Sequence, residues 1–370
     1  MNIENQTSND SPSDPADSSP KKVNWKQVST FVGLTFGLTW MLDLVLFLKG
    51  GLNNPAAIIA LQFQMLLPAF SAILLGMFFF KDSPINLKNN HSKSKWFTCY
   101  FLLFTLLYAA AVIITFIRPE LVQTISSVML IPGLIGMVLV IVLRAVGGKD
   151  TFAGVGMGGG KVKLWFLFGL GIIAFAGLQT LLSWLFKMGQ PVDLSPLVAQ
   201  AALMGMTYPV FMVLVTAQAI ILGPFLGLLV TFGEEYGWRG YLQSALTGLG
   251  RARGVALVGI IWGIWHWPVI WMGYNYPGHP YLGSLLMILF SVGLAFLLGY
   301  AVLKAKGIWI AAFLHALVNQ SFSYFMGVIY TPGDTAYSFG IGFPGLIVVA
   351  LLVILILCDP VWKQNNERLD

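Results

Sequence analysis

The sequence predicts an all-α, polytopic transmembrane helical bundle of about ten spans with both termini cytoplasmic. Three observations predict this class: the composition, a series of long apolar runs, and a one-sided distribution of basic residues. Hydrophobic residues make up 57% of the 370-residue chain and charged residues only 10%, and the mean hydropathy is +0.79. Because soluble domains carry about 25% charged residues, this composition excludes a water-soluble globular protein and a disordered chain.

The chain begins with a polar tail and continues as apolar runs. Residues 1–27 are rich in Ser, Asp, Asn and Pro and end in lysines, which predicts a disordered tail with a basic anchor. A helix of roughly 20 apolar residues crosses the ~30 Å hydrocarbon core of a bilayer. The runs are continuously apolar without a two-residue alternation, which favours helices over barrel strands. The predicted spans are residues 28–48, 57–80, 96–117, 128–143, 164–186, 209–233, 254–272, 281–303, 307–329 and 341–358.

The basic residues orient these spans. With the N-terminus inside, only Lys49, Arg118 and Lys187 lie in outer segments, and all other Lys and Arg residues lie in inner ones. Cytoplasmic loops are enriched in Lys and Arg, so both termini are expected in the cytoplasm. The net charge of +6 then reflects membrane orientation, and no nucleic-acid partner is expected. We expect a multi-pass integral protein of a prokaryotic plasma membrane.

A glycine-rich segment divides the runs into two blocks. We expect an N-terminal transmembrane block at residues 28–143, a cytoplasmic linker at 144–163, a C-terminal transmembrane block at 164–358 and a cytoplasmic tail at 359–370. The linker lacks the G-x-x-x-x-G-K-S/T pattern of a phosphate-binding loop, which favours a flexible connection.

Few ionisable residues lie inside or at the ends of the runs. Each costs at least about 2.5 kcal/mol to insert, so each needs a partner or a function. In the first block the only acidic residue within a run is Asp43, for which the sequence indicates no role. The others are Glu234 and Glu235 at the end of the sixth run, His266 in the seventh, and His315 with Asn319 in the ninth.

The acidic pair belongs to an E-E-x-x-x-R pattern that ends at Arg239. On a helix, Glu235 and Arg239 are four residues apart and can pair along one face. Glu234 then points about 100° away and is free for another role. The alternative interpretation is that these charges cap the interfacial end of a span.

The two histidines are predicted at a similar depth. The runs that carry His266 and His315 both start from the inner side, and Asn319 lies one turn after His315 on the same helix face. A carboxylate and an imidazole can take a proton from water and pass it to a leaving amine. A second imidazole with an amide N–H can stabilise an oxyanion. The alternatives are aromatic packing around a structural His266 and interhelical hydrogen bonding by His315 and Asn319.

In their order, these motifs resemble those of the CAAX prenyl endopeptidase and bacteriocin-processing family of intramembrane glutamate proteases, over about residues 224–330. The resemblance implies a membrane-embedded endopeptidase acting on a membrane-associated peptide or protein near the cytoplasmic leaflet, prenylated in some members. The resemblance implies that Glu234 is the general base and that His266 is its partner. It also implies that His315 and Asn319 form the oxyanion hole. Glu235 and Arg239 are the implied supporting residues.

Two features of the sequence affect this site. The second motif of the family is often F-x-x-x-H, whereas Trp262 stands four residues before His266, so the pocket beside His266 is expected to differ in shape. A straight sixth span would leave Glu234 at the inner interface, away from the histidines. Gly223 and Pro224 predict a bend in this span that brings Glu234 toward them.

Three other functions compete with a metal-free protease. Glu234, His266 and His315 form a possible zinc ligand set. We expect no cofactor, because the chain lacks H-E-x-x-H and Asn319 is a poor zinc ligand. A proton-coupled transporter would show an inverted repeat, and the two halves show no such correspondence. A non-catalytic immunity or scaffold protein would work without Glu234.

Overall fold

The computed structural model describes residues 22–148 and 150–363. The polar tail predicted at residues 1–27 therefore lies largely outside the described residues, as does the end of the C-terminal tail. The predicted all-α class is confirmed, since helices form most of the described chain and strands only a few residues. The helices of the first block are α1 Trp25–Leu48, α2 Ala57–Leu74, α3 Ser94–Ile117, α4 Val122–Val128 and α5 Leu130–Gly147, and the predicted linker contains the short helix α6 Asp150–Ala153.

The second block contains shorter helices and two short strands. Its helices are α7 Val162–Leu185, α8 Ser195–Leu203, α9 Tyr208–Ala217, α10 Gly223–Leu226, α11 Leu228–Glu235, α12 Gln243–Ala245, α13 Arg251–Trp265, α14 Trp267–Trp271, α15 Pro280–Ala305, α16 Trp309–Val328 and α17 Phe343–Leu357. Strands β1 Gly189–Pro191 and β2 Tyr330–Pro332 pair antiparallel, with Gln190 opposite Thr331.

Seven helical segments in the described ranges are long and apolar enough to cross a membrane. They correspond to seven of the ten predicted spans: Trp25–Leu48, Ala57–Phe79, Ser94–Ile117, Pro119–Gly147, Val162–Leu185, Tyr208–Leu226 and Pro280–Ala305. The other three are shorter or more polar: α13 and α17 have 15 residues each, and α16 carries the polar site residues. The number of spans and the side of the termini stay predictions.

Loops that were predicted on the same side of the membrane contact each other. On the predicted inner side, Gly159 of the linker pairs with Gly307 before α16. Also on that side, the Asp359 carboxylate accepts hydrogen bonds from the Val361 backbone N–H and the Lys304 ammonium, which lowers its pKa to about 2. On the predicted outer side, strand β1, which follows α7, pairs with strand β2, which follows α16. These contacts agree with the predicted alternation of the loops.

Glycines let the interior helices approach closely around the site. A Cβ at Gly259 or Gly263 of α13 would lie 2.5 Å from the Cα of Val292 or Ile288 of α15, respectively. A Cβ at Gly237 would lie 2.4 Å from the Cβ of Pro68 in α2. Small residues four apart allow such contacts between membrane helices, where no hydrophobic effect drives association. The backbone that carries the site is therefore held against α2 and α15.

Candidate active site

The sixth predicted span is not one regular α-helix, and the bend expected at Gly223 and Pro224 stays a prediction. Helix α9 ends at Ala217 and leads into a π-helical turn, Gln218–Leu222, and α11 begins only after Gly227. Glu234 and Glu235 at the end of α11 are 3% and 0% exposed. This burial contradicts the interpretation that they cap the span at the headgroups. Because a buried charge is costly, each carboxylate needs partners inside the bundle.

Glu235 is the centre of a buried ionic cluster. Its Oε1 accepts hydrogen bonds from Arg239 Nη1 at 2.9 Å and from His315 Nδ1 at 2.7 Å. The predicted pairing of Glu235 with Arg239 is present, with both side chains fully buried. The contact with His315 was not predicted, because it joins α11 to α16 across 80 residues of sequence. Glu235 thus sets the orientation of the His315 ring.

Glu234 is held by two indole N–H groups. Its Oε2 accepts from Trp262 Nε1 at 2.7 Å and from Trp238 Nε1 at 3.4 Å. Its Oε1 accepts no hydrogen bond from any described residue and is not among the fully enclosed polar atoms. One carboxylate oxygen is therefore fixed, and the other is available to a water molecule or a substrate.

His266 lies at the junction of α13 and α14, where Pro268 cannot continue the backbone hydrogen bonding of α13. Its Nδ1 lies 2.8 Å from the Trp262 carbonyl oxygen. A carbonyl only accepts, so Nδ1 carries the proton and donates. The neutral ring therefore presents the lone pair of Nε2, which has no hydrogen-bond partner among the described residues. The Trp265 ring packs edge-on against the imidazole, with centroids 4.8 Å apart.

His315 and Asn319 lie one turn apart on α16 but in different surroundings. His315 is 5% exposed and bonded to Glu235, with its Nε2 without a described partner. Asn319 is exposed, and its amide forms no hydrogen bond within the described ranges. The structure therefore brings His315 into the carboxylate cluster and leaves the Asn319 amide available one turn further along α16.

Trp262 contacts both histidines and one of the two carboxylates, Glu234. Its ring centroid is 5.8 Å from that of His266 and 5.4 Å from that of His315. The Arg239 guanidinium lies 4.2 Å from the centre of the same ring, a cation–π contact. Glu234 and His266 form no direct hydrogen bond in the described part of the chain, and both contact Trp262 instead.

Sequence reasoning missed the indole donors, although part of the signal was present. Trp238 lies four residues after Glu234, the same spacing that predicted the pair of Glu235 with Arg239. The hydrogen bond from Trp262 crosses 28 residues of sequence and depends on how α13 packs against α11. No pattern within one helix indicates such a contact.

The side chains proposed as alternative zinc ligands do not form a metal cluster. Among the residues that the structure describes, no group of three or more His, Cys, Asp and Glu side chains is arranged to hold a metal ion. Glu234 Oε2 and the Nδ1 atoms of both histidines bond to protein groups, and Glu234 Oε1 and both Nε2 atoms have no hydrogen-bond partner among the described residues. The expectation of a metal-free site stays a prediction.

Comparison with known proteins supports the class of enzyme that the motifs predict. No curated protein matches the chain. Residues 216–321 match the family model described as Type II CAAX prenyl endopeptidase Rce1-like. This segment contains all six predicted site residues, and the family is one of proteases, so the predicted CAAX protease-like endopeptidase is confirmed at the level of the family. By this match the core of the chain, residues 216–321, is similar to the Type II CAAX prenyl endopeptidase Rce1-like family.

Proposed function

We propose that the protein hydrolyses a peptide bond of a membrane-associated peptide or protein near the cytoplasmic leaflet, without a metal ion, in a prokaryotic plasma membrane. The observation that carries the proposal is the arrangement of Glu234. One of its oxygens is held by indole N–H groups, and the other is unpartnered and accessible among the described residues. A buried carboxylate with one free oxygen suits a base that takes a proton from water.

Glu234 and His266 divide the proton transfers. Water attacks the scissile carbonyl carbon and forms the new C–O bond. As it attacks, Glu234 Oε1 takes one proton from the water molecule. The C–N bond then breaks, and this proton passes to the leaving amine, with His266 Nε2 as the relay. The hydrogen bond from His266 Nδ1 to the Trp262 carbonyl supports this role, because it leaves the lone pair of Nε2 free in the neutral ring.

His315 and Asn319 stabilise the charge that develops on the carbonyl oxygen. His315, doubly protonated with Glu235 as its counter-charge, donates from Nε2–H, and the exposed Asn319 amide supplies a second N–H. Each such donor typically contributes roughly 3 to 4 kcal/mol of transition-state stabilisation. Glu235 and Arg239 support the site by holding His315 in place.

The test is cleavage by the purified protein in lipid vesicles of a quenched fluorescent peptide library. The library contains membrane-inserting peptides with and without a farnesylated C-terminal Cys-aliphatic-aliphatic-X sequence. Wild-type protein cleaves at least one member, and Glu234→Gln lowers kcat by roughly 10²- to 10⁴-fold. His266→Ala and His315→Ala lower kcat by at least about 10²-fold, the scale of one lost acid–base group or oxyanion donor.

The matched controls are Glu120→Gln and His279→Ala, which remove an exposed glutamate and a histidine in the 272–280 loop. Both keep wild-type kcat. A Glu234→Gln variant as active as these controls, or a wild-type protein that cleaves no library member, contradicts the proposal.

The same assay separates metal-free catalysis from the zinc alternative. Activity of the wild-type protein survives exhaustive chelation, because the proposed steps use only the side chains of Glu234, His266, His315 and Asn319. Loss of activity on chelation that added zinc restores would overturn the metal-free mechanism and retain the protease.

A further inference from the structure

We propose that Trp262 is a positioning residue that fixes the Glu234 carboxylate for proton transfer, an inference that rests on the proposed function. The position is where this chain departs from the F-x-x-x-H pattern, since Trp262 stands four residues before His266. A phenylalanine fills a similar space but has no N–H. The structure gives the indole N–H of Trp262 a partner, Glu234 Oε2, at 2.7 Å.

This hydrogen bond is the shorter of the two on the carboxylate. Trp238 donates to the same oxygen at 3.4 Å, beyond the usual N–H···O range. Hydrogen bonds to a charged acceptor are the strong ones, and they restrict rotation of the carboxylate plane. Without the N–H of Trp262, Oε2 keeps only the longer bond, and the carboxylate can turn so that Oε1 no longer faces water and substrate.

The other contacts of Trp262 fix the indole itself. The side chain is 2% exposed, and its ring contacts the guanidinium of Arg239 at 4.2 Å and the edge-on ring of His315. Its carbonyl oxygen accepts from His266 Nδ1. Trp262 therefore sets the position of Glu234 relative to both imidazoles. The contacts of the ring with Arg239 and His315 fix the indole, and the indole N–H fixes the Glu234 carboxylate.

The substitution Trp262→Phe isolates the N–H, because it keeps an aromatic ring and the backbone carbonyl. On the library peptide that wild-type protein cleaves fastest, kcat falls roughly 10- to 100-fold, the scale of one hydrogen bond to a charged group. KM stays within about twofold, because no substrate contact is removed. Trp238→Phe, which removes the longer bond, lowers kcat by less than Trp262→Phe does.

The matched control is Trp309→Phe. Trp309 is 4% exposed, and its N–H donates to the Met157 carbonyl at 3.0 Å. This control keeps kcat within about threefold, and thermal unfolding in detergent shifts by a similar amount in both variants, because each loses one buried hydrogen bond.

Wild-type kcat in Trp262→Phe, a change confined to KM, or an equal loss in Trp309→Phe overturns the positioning role. Glu234→Gln is measured on the same peptide. If Glu234→Gln abolishes cleavage while Trp262→Phe does not change kcat, only the positioning role fails. If Glu234→Gln keeps wild-type activity, the proposed function itself fails.

Discussion

The two adjacent glutamates define two regions of the site with opposite properties. The ionic region, Glu235 with Arg239 and His315, is closed: Glu235 and Arg239 are 0% exposed. The open region, Glu234 with His266, presents an unpartnered Oε1 and Nε2 that are not fully enclosed among the described atoms. The difference indicates a division of labour. Under the proposed function, the ionic region fixes geometry at the cost of desolvation, and the open region keeps atoms free for proton transfer.

The largest expected effect is loss of stability in the ionic region. Arg239→Met leaves Glu235 buried with His315 as its remaining partner, and breaking a buried pair costs about 3 to 5 kcal/mol. Unfolding of the purified protein in detergent measures this cost. The matched control is Arg118→Met, which breaks the exposed pair with Glu120 and costs about 1 kcal/mol or less. Equal losses of unfolding free energy in the two variants would show that the buried ion pair stabilises the protein no more than the exposed one does.

A smaller effect, on activity alone, is expected at the edge of the open region. Asn319→Ala lowers kcat about 10²-fold through loss of an oxyanion donor. It leaves the thermal unfolding midpoint unchanged, since the side chain is exposed and forms no hydrogen bond within the described ranges. Parallel measurement of kcat and unfolding checks both statements. The control is Gln123→Ala, an exposed amide on α4, which changes neither quantity. A fall in stability with kcat unchanged would assign Asn319 to packing.

The smallest expected effect is on the backbone that supports both regions. Gly237→Ala places a methyl group 2.4 Å from the Pro68 Cβ, and overpacking typically costs about 1 to 3 kcal/mol. The control is Gly171→Ala on α7, where nothing lies within 4 Å of the new methyl group, so no such loss follows. Unfolding midpoints in detergent compare the two. If the unfolding midpoint of Gly237→Ala is at or above that of Gly171→Ala, α2 accommodates the new methyl group without loss of stability.

Much of the fold follows from patterns along single segments. Apolar runs of membrane-spanning length predict helices, and the spacing of Glu235 and Arg239 predicts their pair, because both depend only on helix geometry. Gly223 and Pro224 predict a bend in the sixth span for a similar local reason. The contacts of Trp262 with Glu234, Arg239 and His315 join different segments, and no periodicity encodes them.

The sequence by itself determined the helical membrane class, the order of the three motifs and the family that residues 216–321 resemble. Composition and spacing are properties of the chain, and they hold whichever helices become neighbours. Only the tertiary structure decided that Glu235 orients His315 and that an indole holds Glu234. Those partners depend on how α11, α13 and α16 pack in the folded chain, which brings together groups far apart in the sequence.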